Sequence, residues 1–255
     1  MYTDSHTHLY LDAFDGDRDE MIRRAIRNGV TRMYLPNLDS TSVEAMHAVC
    51  AAFPGNCFPM MGLHPTAVKE NYNEELDRVK QLIGINEYAA IGEIGIDLYW
   101  DATYVKEQTE AFRQQIRWAK ETGLPIVIHA RNSFDEIFSV MDEENNDALN
   151  GVFHSFTGNA KQAEQALSYG FKLGINGIIT FKNSGLDRVV AGIDPSNLLI
   201  ETDAPFLAPV PYRGKRNESM YVIEVARKIA EIHVMQPEDV ASITTENALN
   251  LFPLS

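Results

Sequence analysis

The stretch Ala90-Ile91-Gly92-Glu93-Ile94 is a short β-type run that precedes a long amphipathic segment. The next apolar run, Pro125-Ile126-Val127-Ile128, follows that segment. The same alternation extends outward to both ends of the chain and is typical of βα units on a parallel sheet. The eight strand-like runs are residues 2–6, 32–35, 57–62, 90–94, 125–128, 151–153, 171–175 and 198–201.

The number and spacing of these runs predict the architecture. Eight βα units in 255 residues fit a compact α/β fold, the (β/α)8 TIM barrel, with little room for insertions. Two helical patterns follow the last run, near residues 218–233 and 237–251. A doubly wound open sheet is the alternative, but the GxGxxG fingerprint is missing after the first run. We therefore expect one barrel domain that spans residues 1–255.

Three positions mark helix boundaries. Asp17 precedes Glu20 by three residues, as in a capping box with Asp in place of Ser. Gly29 and Gly123 each follow a helical pattern, where a left-handed residue ends many helices. We expect these residues to serve the fold and not the chemistry.

Composition and charge restrict the function classes. The chain is 45% hydrophobic and 23% charged, as expected for a globular protein. Its two cysteines form no CxxC pair, and it has neither a signal-peptide pattern nor an apolar run long enough for a membrane helix. We therefore expect a cytoplasmic protein without membrane contact.

The formal net charge of −14 argues against a broad basic face for duplex binding and favours a monomer or a weak homo-oligomer. A nucleic-acid substrate held locally by metal ions stays compatible with this charge.

Metal-type ligands gather where the predicted strands end, which is where barrel enzymes place their active sites. Alternate residues of a strand face the same way, so the two histidines after the first run can bind one ion. A buried acid beside glycines in the fourth run would carry an unpaired charge unless a cation or a base compensates it. The six candidate ligands are His6, His8, Glu93, His129, His154 and Asp203.

This donor set predicts a hydrolase with two ions. Imidazole and carboxylate without thiolate suit Zn²⁺, Mn²⁺ or Mg²⁺, and six ligands exceed what one tetrahedral ion takes. Two bridged ions can activate a water and polarise an ester or phosphoryl oxygen, so we expect Glu93 to bridge them. Asp203 is the candidate general base. Glu201, two residues earlier on the same face, is the candidate partner that orients a ligand.

At these residues the sequence resembles the TatD family of metal-dependent hydrolases and deoxyribonucleases, which have amidohydrolase-like barrels. The likeness covers essentially the whole chain, and the motifs occur in the family's order. They are Asp4-Ser5-His6-Thr7-His8-Leu9, Gly62-Leu63-His64-Pro65, Ile91-Gly92-Glu93-Ile94-Gly95-Ile96-Asp97, Pro125-Ile126-Val127-Ile128-His129-Ala130-Arg131, His154-Ser155-Phe156-Thr157-Gly158, Glu201-Thr202-Asp203-Ala204-Pro205 and Tyr212-Arg213-Gly214-Lys215-Arg216-Asn217-Glu218.

The resemblance implies a TIM barrel with two divalent ions. One ion would be bound by His6, His8 and Asp203, and the other by His129 and His154, with Glu93 between them.

The resemblance also implies 3′-to-5′ exonuclease activity on DNA, with a single-stranded or frayed 3′ end as substrate, and a phosphate contact from His64. In one departure, Ser219 stands where the family pattern has proline, which affects the rigidity of that loop and not the ligands.

Cations on the strand-end loops are candidates for orienting a phosphodiester. They are Arg131, Lys182, Arg213 and Arg216. Two other functions stay open on the sequence. The first is amide or ester hydrolysis, including deacylation of misacylated tRNA, which uses the same chemistry. The second is a metal-stabilised binding module without turnover, but the intact Glu93 and Asp203 argue against it.

Overall fold

A computed structural model describes residues 1–254 of the chain. Within them, eight parallel strands alternate with helices. The strands are β1 (Tyr2–Asp4), β2 (Val30–Pro36), β3 (Cys57–Met60), β4 (Ile91–Asp97), β5 (Ile126–Arg131), β6 (Gly151–Phe153), β7 (Lys172–Ile175) and β8 (Leu198–Ile200). The α-helices are α1 (Arg18–Arg27), α2 (Val43–Ala52), α3 (Tyr72–Ile83), α4 (Val105–Thr122), α5 (Phe134–Glu144), α6 (Ala160–Ser168), α7 (Leu186–Val190), α8 (Val222–His233) and α9 (Pro237–Leu251).

Backbone hydrogen bonds close the strands into a ring. Strands β1 to β3 form one parallel sheet, and β4 to β8 form a second. At one seam, the Met61 N–H donates to the Ala90 carbonyl over 3.1 Å. At the other seam, the Asp203 N–H donates to the His6 carbonyl over 2.9 Å. The chain therefore forms the predicted (β/α)8 barrel, and the second seam joins two of the candidate ligand segments directly.

Strand β4 is buried along its whole length, so its polar side chains point into the barrel. Two glycines make room for this. A Cβ on Gly92 would lie 2.6 Å from the Cβ of Val127. A Cβ on Gly95, whose φ is +141°, would lie 2.1 Å from the carbonyl oxygen of His129. The glycines therefore let β4 approach β5 closely and set Glu93 beside His129.

The strand boundaries differ from the predicted ones. Strand β1 ends at Asp4 and not at residue 6, but its extension stays hydrogen-bonded because the Thr7 N–H donates to the Tyr34 carbonyl over 3.0 Å. Strand β4 continues three residues past Ile94 to Asp97. The sequence signal failed there because Gly95 interrupts the apolar pattern.

Helix α1 begins directly after Asp17, as predicted, but the predicted side-chain cap is wrong. The Asp17 side chain makes no capping hydrogen bond to α1 and instead accepts from the Arg216 guanidinium over 2.6 and 2.8 Å. A bidentate ion pair with Arg216 thus takes the place of the hydrogen bond that Asp17 would accept from a backbone N–H of α1. The glycine predictions are confirmed, since Gly29 and Gly123 have φ of 87° and 72° at the ends of α1 and α4.

Among the helices formed by residues 1–254, none has the combination of length and apolar character that a membrane span requires.

Candidate metal centre

Glu93 lies at the centre of the barrel mouth, with its side chain 2% exposed. Its Oε2 is 3.0 Å from His6 Nε2 and 3.7 Å from His8 Nε2. Its Oε1 is 2.7 Å from His129 Nδ1 and 3.7 Å from His154 Nε2. Each carboxylate oxygen therefore faces its own pair of imidazoles, and the two pairs meet where the rings of His6 and His154 stack at a centroid distance of 3.3 Å.

Asp203 completes this arrangement from the end of the segment after β8. Its Oδ1 lies 3.5 Å from His8 Nε2 and 3.8 Å from His154 Nε2. Its side chain is 16% exposed, which is more than that of Glu93, and it faces the cavity. The structure thus brings the six candidate ligands together, although residues 6 to 203 span most of the chain.

The hydrogen-bond partners of His8 fix its tautomer. The Tyr10 hydroxyl donates to the Pro36 carbonyl over 2.6 Å, so it accepts from His8 Nδ1, 3.0 Å away. The proton of neutral His8 is therefore on Nδ1, and the lone pair of Nε2 faces the carboxylates of Glu93 and Asp203.

Two further carboxylates hold the other pair of imidazoles from behind. Asp97 Oδ2 lies 2.8 Å from His129 Nε2, and Glu201 Oε1 lies 2.9 Å from His154 Nδ1. Each leaves the opposite ring nitrogen directed at Glu93. Such carboxylate–histidine pairs orient metal-binding imidazoles and increase their basicity. Glu201, the candidate for this orienting role, thus lies behind His154.

Asp97 has the same position relative to His129, and sequence reasoning did not assign it a role. It is four residues after Glu93 on β4, and a period of two places both on one face. That signal was available, but a strand predicted to end at residue 94 concealed it.

The charges of the site favour a bound cation. Burial raises the pKa of Glu93, but the surrounding imidazoles outweigh it and hold this pKa well below its usual range. Burial lowers the pKa of His6 to about 4, which leaves a neutral imidazole. No lysine or arginine within residues 1–254 pairs with Glu93 or Asp203. Ionised carboxylates and the lone pair of His8 Nε2 thus face one another, and a metal ion satisfies such a set of acceptors.

The second pair of imidazoles leads to the same conclusion. Burial alone would lower the pKa of His129 and His154, but the adjacent carboxylates raise them to about 9 and about 10. Asp97 and then Glu93 contribute most for His129, and Glu201 and then Glu93 for His154, so a positive charge is stabilised between Glu93 and the carboxylates behind the rings. Protein metal ions bind at such positions in place of protons.

His64 presents a hydrogen-bond donor to the site, whereas His8 presents a lone pair. It could form a third metal-binding group with Glu93 and His129 by distance alone. However, its Nδ1 accepts from the Thr66 backbone N–H over 3.1 Å, so the proton of the neutral ring is on Nε2. That N–H lies 3.3 Å from Glu93 Oε1 and lines the cavity. His64 is thus arranged as a hydrogen-bond donor beside the candidate ligands.

The candidate ligands other than His6 line a cavity of about 560 Å³. Arg131 lies on its wall, with its guanidinium carbon 4.0 Å from the Tyr99 ring centre and 5.4 Å from that of Trp100. Trp100 and Phe206 also line the cavity and are 68% and 52% exposed. The mouth of the site therefore presents one cation and exposed aromatic rings.

The remaining predicted cations lie elsewhere. Lys182 and Arg213 line a second cavity next to the first. Arg216 is directed away from both, and its guanidinium binds Asp17 and Glu218 at distances of 2.6 and 3.3 Å. The expectation that Arg216 contacts substrate is not supported, because carboxylates already occupy its donors. It anchors the loop before α8 to the start of α1.

Comparisons with known proteins agree with this geometry. A family model described as TatD related DNase matches residues 3–253. The metal-dependent hydrolase YabD of Bacillus subtilis is 39% identical over 256 residues, covering 100% of both chains. The 3′-5′ ssDNA/RNA exonuclease TatD of Cronobacter sakazakii is 33% identical, covering 94% of this chain and 93% of that one.

Solved structures confirm the architecture. The TatD homologue YjjV of Escherichia coli superposes with a TM-score of 0.93 at 26% identity, covering 100% of this chain and 98% of that one. An organophosphorus hydrolase from Deinococcus radiodurans, with a TM-score of 0.69 and 15% identity over 98% of this chain and 92% of its own, shares the fold. The family match across nearly the whole chain, together with the acceptor cluster in the barrel mouth, shows that this protein belongs to the TatD related DNase family and is a metal-dependent hydrolase.

Proposed function

We propose that the protein removes nucleotides from the 3′ end of single-stranded DNA by hydrolysing phosphodiester bonds with two divalent metal ions. The observation that carries the proposal is the position of Glu93, whose two carboxylate oxygens face two separate pairs of imidazoles. The printed activity of the Cronobacter relative supports the substrate class and the polarity. Domain extent and cytoplasmic location stay predictions.

The chain offers three ligands on one side of Glu93 and two on the other. His6, His8 and Asp203 would hold one ion, and His129 and His154 would hold the second. When bound, such a pair of ions lowers the pKa of a water and polarises the phosphoryl oxygen. Mg²⁺, Mn²⁺ and Zn²⁺ all suit imidazole and carboxylate donors, so the metal is part of the test.

Asp203 is the residue positioned to accept the proton of the attacking water. It is the most exposed carboxylate of the ligand cluster, and its Oδ1 points into the cavity. The Asp203 carboxylate is ionised before substrate binds, because His8 and the other imidazoles lower its pKa more than burial raises it. Glu93 is already shared by two pairs of rings, so Asp203 is the better general base.

The other residues position the reacting groups. His64 Nε2–H would donate to a non-bridging oxygen of the scissile phosphate, in the place where it now meets Glu93. Arg131 would add a second contact from the wall of the cavity. Glu201 and Asp97 hold the rings of His154 and His129 in their orientations. With these contacts, the barrel mouth would bind one phosphodiester of the substrate.

A substrate panel tests the proposal. Purified protein would be incubated with single-stranded DNA, RNA, an aminoacyl-tRNA and small amides, each with Mg²⁺, Mn²⁺ or Zn²⁺. We expect metal-dependent release of mononucleotides from DNA, lost by at least about 100-fold in Glu93→Gln. Glu164→Gln, on the exposed face of α6, is the matched control. Retained DNA hydrolysis in Glu93→Gln, or faster cleavage of the ester or amide, contradicts the proposal.

A further inference from the structure

A second cavity adjoins the metal cavity and is not needed to hold the ions. It has a volume of about 620 Å³, and its wall includes Phe181, Lys182 and Arg213. Ile178 and Leu207 line both cavities, so the two share a wall. A chain-like substrate that extends from the metal cavity across this wall would enter the second cavity.

The walls of this second cavity are joined by a hydrogen bond to a side chain and by a close backbone contact. The Val210 N–H donates to Thr180 Oγ1 over 2.9 Å, which joins the loop after β8 to the turn after β7. A Cβ on Gly177 would lie 2.2 Å from the Leu207 carbonyl oxygen, so the two segments meet at backbone distance. The cavity is therefore formed before any ligand binds, which reduces the entropic cost of binding.

The chemistry of the cavity suits a nucleotide. The Arg213 guanidinium carbon lies 3.9 Å from the centre of the Phe181 ring, so the two planar groups are in contact. Lys182 adds a second cation, and Asn183 adds an amide beside it. Planar groups of this kind stack on bases without regard to sequence, and the cations bind phosphate.

Within residues 1–254, neither of the two cations has a carboxylate partner. No carboxylate of residues 1–254 forms an ion pair with Lys182 or Arg213, although the chain carries 36 acidic residues. Arg216, three residues after Arg213, is neutralised by two carboxylates. In a protein of net charge −14, two unpaired cations over one cavity indicate an anionic ligand.

We propose that this cavity is a second nucleotide subsite, which binds the nucleotide adjacent to the scissile phosphodiester. Arg213 and Phe181 would contact its base, and Lys182 its phosphate. The inference rests on the proposed function and adds to it, because it predicts that the protein prefers chains of two or more nucleotides to small phosphodiesters.

Binding without turnover tests the subsite directly. The affinity of fluorescein-labelled decathymidylate would be measured by fluorescence anisotropy in EDTA for wild type, Lys182→Ala and Arg213→Ala. We expect Kd to rise about tenfold in each variant, the usual effect of losing one stacking or charged contact. Arg188→Ala is the charge-matched control, because Arg188 is exposed on α7 and lines neither cavity. Its Kd should stay within about twofold of wild type.

Turnover gives a second readout. With Mn²⁺, the ratio of kcat/KM for decathymidylate to kcat/KM for bis(p-nitrophenyl) phosphate should fall about tenfold in Lys182→Ala and in Arg213→Ala, through KM of the oligonucleotide. Circular dichroism would verify that each variant folds.

The outcomes separate the two proposals. Equal weakening by Arg188→Ala, or equal losses on both substrates, overturns the subsite. If wild type cleaves the small diester but no oligonucleotide, the exonuclease proposal fails, and the anisotropy comparison still decides the subsite.

Discussion

At the scale of single residues, the site depends on which ring nitrogen carries each proton. Asp97 holds Nε2 of His129, so that Nδ1 faces Glu93. Asp97→Asn would keep the oxygen that accepts from the Tyr99 and Trp100 N–H groups but present an amide N–H to His129. The ring would then have to turn or change tautomer, which weakens it as a metal ligand.

We therefore expect Asp97→Asn to lower the affinity for one of two Mn²⁺ ions about 10- to 100-fold. Isothermal titration calorimetry measures the affinities of both ions. Asp187→Asn, on exposed α7, is the control and should bind as wild type does. Equal affinities in Asp97→Asn and wild type would show that Asp97 does not orient His129.

His64 provides the opposite prediction. Because its Nε2 is a donor and not a ligand, His64→Ala should retain two metal ions per chain. The kcat/KM for DNA should fall about 10- to 100-fold, as for loss of one charge-assisted contact. Metal analysis after gel filtration, combined with steady-state kinetics, measures both quantities. Loss of an ion with His64 would make it a ligand and refute this assignment.

The sequence predicted the six candidate ligands. It did not predict which ring nitrogen of each histidine carries the proton and which is free to bind a metal ion. Residue types at strand ends identify candidates such as His8 and His129. The contact of Tyr10 with Pro36 depends on how segments of different units fold together, and that of Thr66 with His64 depends on the turn that the loop after β3 adopts. Periodicity along one strand contains no such information.

At the scale of elements, the approach of β4 to β5 positions Glu93. Gly95 combines a φ of +141° with backbone contact to His129, and both conditions exclude a side chain. We expect Gly95→Ala to lower the free energy of unfolding by about 2–4 kcal/mol. Gly16→Ala, with no atom within 4 Å of the added Cβ, should change it by less than about 0.5 kcal/mol. Urea denaturation measures both, and equal stabilities would contradict the packing argument.

The start of α1 allows a second test at this scale. If Asp17 pairs with Arg216 and does not cap the helix, its replacement matters only while Arg216 is present. A double-mutant cycle with Asp17→Ala and Arg216→Ala should give a coupling of about 0.5–1 kcal/mol, because the pair is partly exposed. Additive effects in the cycle would restore the capping interpretation.

Elements were predicted well where local pattern determines them and poorly where tertiary contacts do. The run 151–153 matches β6, and Gly123 ends α4. Asp17 carries a local capping signal, but a partner about 200 residues away in sequence binds it instead. No local rule could identify that contact.

At the scale of the whole molecule, closing the barrel brings uncompensated acceptors together, so metal binding and stability are linked. An ion present at about 100 times its Kd should raise the melting temperature of the wild type by about 5–10 °C over EDTA-treated protein. Glu93→Gln should lose most of this increase, since it weakens both ion sites. Differential scanning calorimetry measures the shift, and an unchanged melting temperature would contradict the linkage.

The eight apolar runs were sufficient to predict the barrel, because a βα repeat of this number and length leaves few topologies. The seams between the sheets and the second cavity beside Phe181 depend on long-range register and loop packing. Those features required the folded structure.

Anomalous diffraction at the manganese edge would show directly whether two ions share Glu93. A crystal of the wild type grown with Mn²⁺ should show two peaks, each about 2.0–2.2 Å from a Glu93 oxygen. One peak should contact His6, His8 and Asp203, and the other His129 and His154. A single peak, or ions bound without Glu93, would contradict the account.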